Sequence, residues 1–99
     1  MGKRRKVPKD MVTSVLVRSR RRCCLCYGYY HEMGVANGQI VHLDGDASNS
    51  KEDNLAFLCL EHHDQFDSQT SQGKGFTKDE VVYWRERLYK DVEEEEFWK

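Results

Sequence analysis

Two short residue pairs constrain this chain more than any other feature. Cys23-x-x-Cys26 sets two thiols within reach of one ion, and Cys59-x-x-His62 repeats the spacing 33 residues further on. Two such knuckles supply the four nitrogen and sulfur ligands of a tetrahedral structural zinc site. One Cys-x-x-Cys says little by itself; the second pair makes a zinc staple the expected reading over free or packed thiols. A chain of 99 residues buries only about 60–65% of its unfolded surface, so a metal cross-link has a physical reason to be present. Cys23 and Cys24 are adjacent, which makes two independent disulfides awkward, and Cys24 is expected to be buried or turned away from the ion. No apolar region of signal-peptide type follows the charged N-terminus, so the expected compartment is reducing and cytoplasmic, where thiolate–metal bonds persist. No apolar run approaches the roughly 18 residues of a membrane span, and no membrane partner is expected.

The formal net charge of −1 hides an asymmetry. Residues 1–22 hold nine basic groups (Lys3, Arg4, Arg5, Lys6, Lys9, Arg18, Arg20, Arg21 and Arg22) against one acid, Asp10. The remainder holds seven basic groups against sixteen acids. A basic run of this density suits a phosphate backbone, whose condensed counterions it releases; a solvated tail, or a nuclear address in KRRKV, is the plainer alternative. Residues 1–7 read as an arm and 8–99 as a single domain. Pro8 is placed to open a helix, and Met11, Val12, Val15 and Leu16 repeat at helical spacing to about Arg20, although the β-branched VTSVLV also allows a strand. Tyr27–Asn37 reads as a hairpin arm or loop, GQIVHL as a short strand ending near His42, and DGDASNSKEDN as loop. Residues 68–76 read as a polar connector. Thr77 and Glu80 form a capping box that opens an amphipathic helix over 78–96, with Val81, Trp84, Leu88 and Val92 on its packed stripe.

The helix expected through HHDQFD separates two histidines. Neighbours on a helix diverge by about 100°, so with His62 on zinc, His63 faces elsewhere. Asp67 lies four residues on and would share the face of His63, forming half of a divalent-ion site with positions open to water and phosphate. A surface His–Asp pair is the plainer alternative, and His42 alone could equally be a satisfied histidine.

His42, Asn54 and His63 in this order, with Leu-Cys before the last histidine and a Cys-x-x-Cys upstream, resemble the HNH (ββα-metal) endonuclease family. The stretch is about 21–67, and QIVHLDGDASNSKEDNLAFLCLEHHDQFD is most similar to the branch reading AHI…NL..LC..HH..FD. The resemblance implies an α+β fold: a small zinc-stapled ββα-metal module, here flanked by an N-terminal and a C-terminal helix. It implies that His42 is the general base taking a proton from water, that Asn54 ties down the loop, and that His63 with Asp67 holds Mg²⁺ or Mn²⁺ against the scissile phosphate. Cys23, Cys26, Cys59 and His62 would be the structural zinc ligands. Asp44 or Asp46 could add an oxygen ligand. Where many members carry Asp or His before the general base, this chain has Val41.

The resulting expectation is a metal-dependent DNA endonuclease that meets the phosphate backbone with Lys3, Arg4, Arg5, Lys6, Arg18, Arg20, Arg21 and Arg22. The alternative is a zinc-stapled module that binds or docks without cutting, in a larger protein of a defence system or mobile element.

Overall fold

A computed structural model gives the fold for residues 7–67, with the backbone alone at Asp67, and for 75–94. Lys3, Arg4, Arg5 and Lys6, most of the 68–76 connector and the last two residues of the expected 78–96 helix lie outside the described residues. The chain runs α1 (Lys9–Ser19), α2 (Cys24–Tyr30), β1 (Gly38–His42), a 3-10 turn (Glu52–Asn54), β2 (Leu55–Cys59), α3 (Leu60–Gln65), β3 (Phe66–Asp67), β4 (Phe76–Thr77) and α4 (Lys78–Glu93). This is an α+β fold with an antiparallel two-stranded sheet, as expected.

β1 pairs with β2 from Gly38 opposite Cys59 to His42 opposite Leu55. Side chains alternate across a strand, so β2 feeds two apolar clusters. Leu55 and Phe57 pack with Val15 of α1 and, at the edge, Ile40. Ala56 and Leu58 pack with Val41, Leu43, Leu25 and the α4 residues Val81, Leu88 and Val92. The continuous run LAFL is buried throughout because α1 covers one face of the sheet and α2 with α4 covers the other. Burying a side chain such as Leu88 contributes roughly 1.5–3 kcal/mol before entropy is counted.

VTSVLV resolves to helix: α1 follows Pro8, whose carbonyl accepts from the Met11 and Val12 amides, and it ends with Arg20 and Arg21 both left-handed. The Arg22 guanidinium braces this turn by donating to the carbonyls of Arg20 (2.7 Å) and Met33 (2.6 Å). The expectation of a hairpin arm or loop over Tyr27–Asn37 is corrected for Tyr27–Tyr30, which ends the helix Cys24–Tyr30; residues 31–37 are loop. The glycine that reads as a breaker is a packing device: a Cβ on Gly28 would lie 2.2 Å from Cδ2 of Trp84. α4 starts on the expected capping box. The Glu80 amide donates to Thr77 Oγ1 (3.3 Å) and the Thr77 amide donates to Glu80 Oε1 (2.9 Å).

α3 is shorter than HHDQFD suggests. It stops at Gln65, because Phe66 and Asp67 turn extended and pair in parallel with Phe76 and Thr77. Asp67 is therefore off the helix, and the expected stacking of His63 and Asp67 on one helical face is corrected. The Asp67 side chain lies outside the described residues.

Candidate metal centre

Both knuckles are helix starts. Cys23 is the N-cap of α2 and Cys26 lies in its first turn. Cys59 ends β2 and caps α3, its Sγ accepting from the His62 amide at 3.4 Å. Nδ1 of His62 lies 3.4 Å from Cys23 Sγ, 3.4 Å from Cys26 Sγ and 3.3 Å from Cys59 Sγ, while the Cys26 and Cys59 sulfurs are 3.7 Å apart. All four donor atoms fall within 4.8 Å of one another. Around a tetrahedral zinc with bonds of about 2.3 Å to sulfur and about 2.0–2.1 Å to nitrogen, edges are about 3.8 Å (S–S) and about 3.6 Å (S–N). The four donors match those edges to a few tenths of an ångström at the pairs given above, so the cluster can hold a zinc ion, with His62 bound through Nδ1.

The ring of His62 is fixed from two sides. Tyr30 stacks on it at 5.7 Å and 7°, and Phe76 meets it edge-on at 5.0 Å and 83°. Such neighbours hold a ligating imidazole in one orientation. Burial pushes the thiols of Cys23 and Cys26 up, so in the absence of a cation they keep their protons. Zinc reverses this, because the thiolate is the ligand. Cys24, buried in the core with Sγ 3.7 Å from the Val81 carbonyl, stays out of the cluster, and burial raises its thiol far above the usual range.

The second group is the loop between the strands. His42 closes β1, half-buried, with Nε2 3.3 Å from Ser50 Oγ. Asn54, 7% exposed, ties the loop together. Its Oδ1 accepts from the Asp44 amide (3.1 Å), its Nδ2 donates to Asp44 Oδ1 (3.0 Å) and to the Asn49 carbonyl (2.8 Å), and its own carbonyl accepts from the Leu43 amide (2.8 Å). Hydrogen bonds from Asn49, the Asp46 amide and Asn54 hold the Asp44 carboxyl down at about 2. Asp44 and Asp46 are thus both used within the loop, Asp46 accepting from the Ser48 hydroxyl and amide.

The sequence-derived residues fall into separate places. Cys23, Cys26, Cys59 and His62 converge, and they are the only such group of three or more among the described residues. His63 is half-buried, its Nδ1 3.4 Å from the exposed Asp64 carboxylate. Val41 is a core residue, 6% exposed. Arg18 pairs with Glu52 at 2.8 Å, Arg22 holds the turn described above, and Arg20 and Arg21 are exposed. Sequence reasoning missed Ser50, Tyr30 and Phe76 beside the histidines, and Arg85 behind the loop. For Arg85 a signal existed: an arginine four residues after Val81 and three before Leu88 lies on an otherwise apolar stripe. No helix among the described residues is long and apolar enough to cross a membrane. Compared with models of protein families, with curated proteins and with solved structures, the chain has no match.

Proposed function

We propose that this chain is an HNH-type endonuclease module hydrolysing phosphodiester bonds in DNA, with His42 as the general base. The observation that supports this most is the set of bonds by which Asn54 fastens the residues directly after His42. A general base must be held within hydrogen-bond reach of the water it deprotonates, and displacement of about 1 Å can cost about 100-fold in rate. A half-buried imidazole at a strand end, with the following loop pinned by a buried asparagine, meets that need. Ser50 Oγ, 3.3 Å from Nε2, helps set the ring. The zinc is structural in this reading, since four protein donors leave no open position for substrate. A Mg²⁺ or Mn²⁺ ion on His63 would supply charge neutralisation at the scissile phosphate and the departing oxygen. Arg20 and Arg21, with the basic arm, would meet the DNA backbone.

The second reading, a zinc-stapled module that binds or docks in a larger protein without cutting, has its own support. His63 gathers no third ligating side chain among the described residues. Plasmid incubated with the zinc-loaded protein and Mg²⁺ or Mn²⁺, beside His42→Ala, separates the two. The nuclease reading expects nicked or linear product from the wild type alone. Equal products from both proteins would sink it, and intact plasmid with salt-sensitive DNA binding would favour the second reading.

A further inference from the structure

Helices α1 and α4, which flank the stretch resembling the nuclease motif, grip the same 3-10 turn. From α1, Ser14 Oγ donates to Glu52 Oε2 at 2.6 Å and Arg18 Nη1 donates to the same oxygen at 2.8 Å. From α4, Nη1 of Arg85 donates to the carbonyls of Asp53 (2.9 Å) and Leu55 (3.1 Å), the two that bracket Asn54. Glu86 holds the guanidinium plane, its Oε2 accepting from Nε (3.0 Å) and Nη2 (2.6 Å). The Tyr89 ring lies by both arginines, 4.3 Å from Arg18 and 5.9 Å from Arg85.

Packing alone does not account for an arginine at 85. The position is 6% exposed and on the stripe of Val81 and Leu88, where an apolar side chain would avoid the cost of desolvating a charge. What the guanidinium adds is direction: two N–H groups in a fixed plane set the orientation of two peptide units. Those units, Asp53–Asn54 and Leu55–Ala56, lie on either side of the Asn54–Leu55 peptide, and the carbonyl and Oδ1 of Asn54 receive the amides of Leu43 and Asp44, the two residues after His42.

We propose that Arg85 is a positioning residue for His42, acting through the Asp53 and Leu55 carbonyls that bracket Asn54, with the Ser14–Arg18–Glu52 contacts as the opposing half of the clamp. The general-base role of His42 comes from the nuclease reading, on which this half of the proposal rests; the ordering of the loop does not depend on it.

The test is amide hydrogen exchange on the zinc-loaded full chain, wild type against Arg85→Lys, with kcat and KM for plasmid cutting measured beside it. Lysine keeps the charge and loses the fork. Expected is about tenfold or greater loss of protection at the Leu43 and Asp44 amides relative to the β1–β2 ladder, with kcat down about tenfold and KM within about twofold. Unchanged protection at Leu43 and Asp44, or loss spread equally over the ladder, overturns the clamp. Local loss with normal cutting overturns the positioning role. Local loss in a protein whose wild type cuts no DNA supports the clamp and overturns the nuclease reading alone. Should Arg85→Lys not fold, Glu52→Gln loosens the same turn from α1 and must give the same local pattern; undisturbed Leu43 and Asp44 amides there overturn the clamp.

Discussion

Replacing Tyr89 by phenylalanine should stabilise this protein, and increasingly so in alkali. Tyr89 is 5% exposed, and its hydroxyl is the one buried side-chain polar atom without a hydrogen-bond partner among the described residues. Leaving such a group unpaired costs about 1–3 kcal/mol, and Phe keeps the ring that Arg18 and Arg85 contact. Burial also pushes the phenol from 10 up to about 12, against the opposing pull of Arg85 and Arg18. A pKa raised in the folded state means that the folded protein holds the proton more tightly. That contribution is complete below the unfolded value of about 10 and is lost as pH climbs through about 12. Two units correspond to about 2.7 kcal/mol, of which about 1.4 kcal/mol is gone by pH 11. Tyr89→Phe does not titrate. Its advantage is therefore expected to be about 1 kcal/mol at pH 7 and about 2–3 kcal/mol at pH 11. Guanidinium unfolding of the zinc-loaded proteins at both pH values measures this. A variant less stable than wild type at pH 7, or a gap that does not widen in alkali, would refute the reasoning and imply that the hydroxyl has a partner such as a trapped water.

Three further perturbations test the metal site and the packing around it. Structural zinc contributes roughly 10–16 kcal/mol in small sites, as much as a whole domain's usual stability, so the metal-stripped chain should be unfolded. A cleft of about 320 Å³ lined by Cys26, Tyr30, Glu32, Glu61, His62 and Gln65 gives a chelator access. Because the thiolate is the ligand and a free thiol is protonated at neutral pH, zinc uptake must release protons and weaken as pH falls; titration calorimetry in two buffers of different ionisation enthalpy reads this, and equal observed heats in the two would contradict it. Gly28→Ala puts a Cβ 2.2 Å from Trp84 Cδ2 and 2.4 Å from Cε3. It should cost about 1–3 kcal/mol despite alanine's better helix propensity, and an unchanged melting temperature with unchanged Trp fluorescence would show that α2 and α4 are not packed this closely.

Local rules made part of this molecule readable. The two knuckles, the Thr77–Glu80 capping box and the β1 strand depend on neighbours in sequence, and each is found where its spacing put it. What escaped reading is tertiary. Tyr27–Tyr30 looks like hairpin arm or loop because its aromatics and Gly28 have poor helix propensity; it is the end of a helix because Cys24 and Leu25 are buried and Gly28 packs against Trp84. α3 ends early because Phe66 finds a partner in Phe76, ten residues away. The His62 environment needs Tyr30 from one side and Phe76 from the other, residues that no window of sequence joins. The loop at His42 depends on Arg85, about 30 residues beyond the carbonyls it holds.

The order of the zinc ligands along the chain has a consequence for how the protein is put together. All four ligands precede α4 in the chain, which begins at Lys78, sixteen residues after His62. Metal capture therefore needs no residue of α4, whereas Val81, Leu88 and Val92 complete the core beside the site. Arg85 comes about 30 residues later in the chain than the carbonyls that it grips. Metal capture and loop tightening therefore draw on different parts of the chain: the ligands of the first end at His62, and the second needs Arg85.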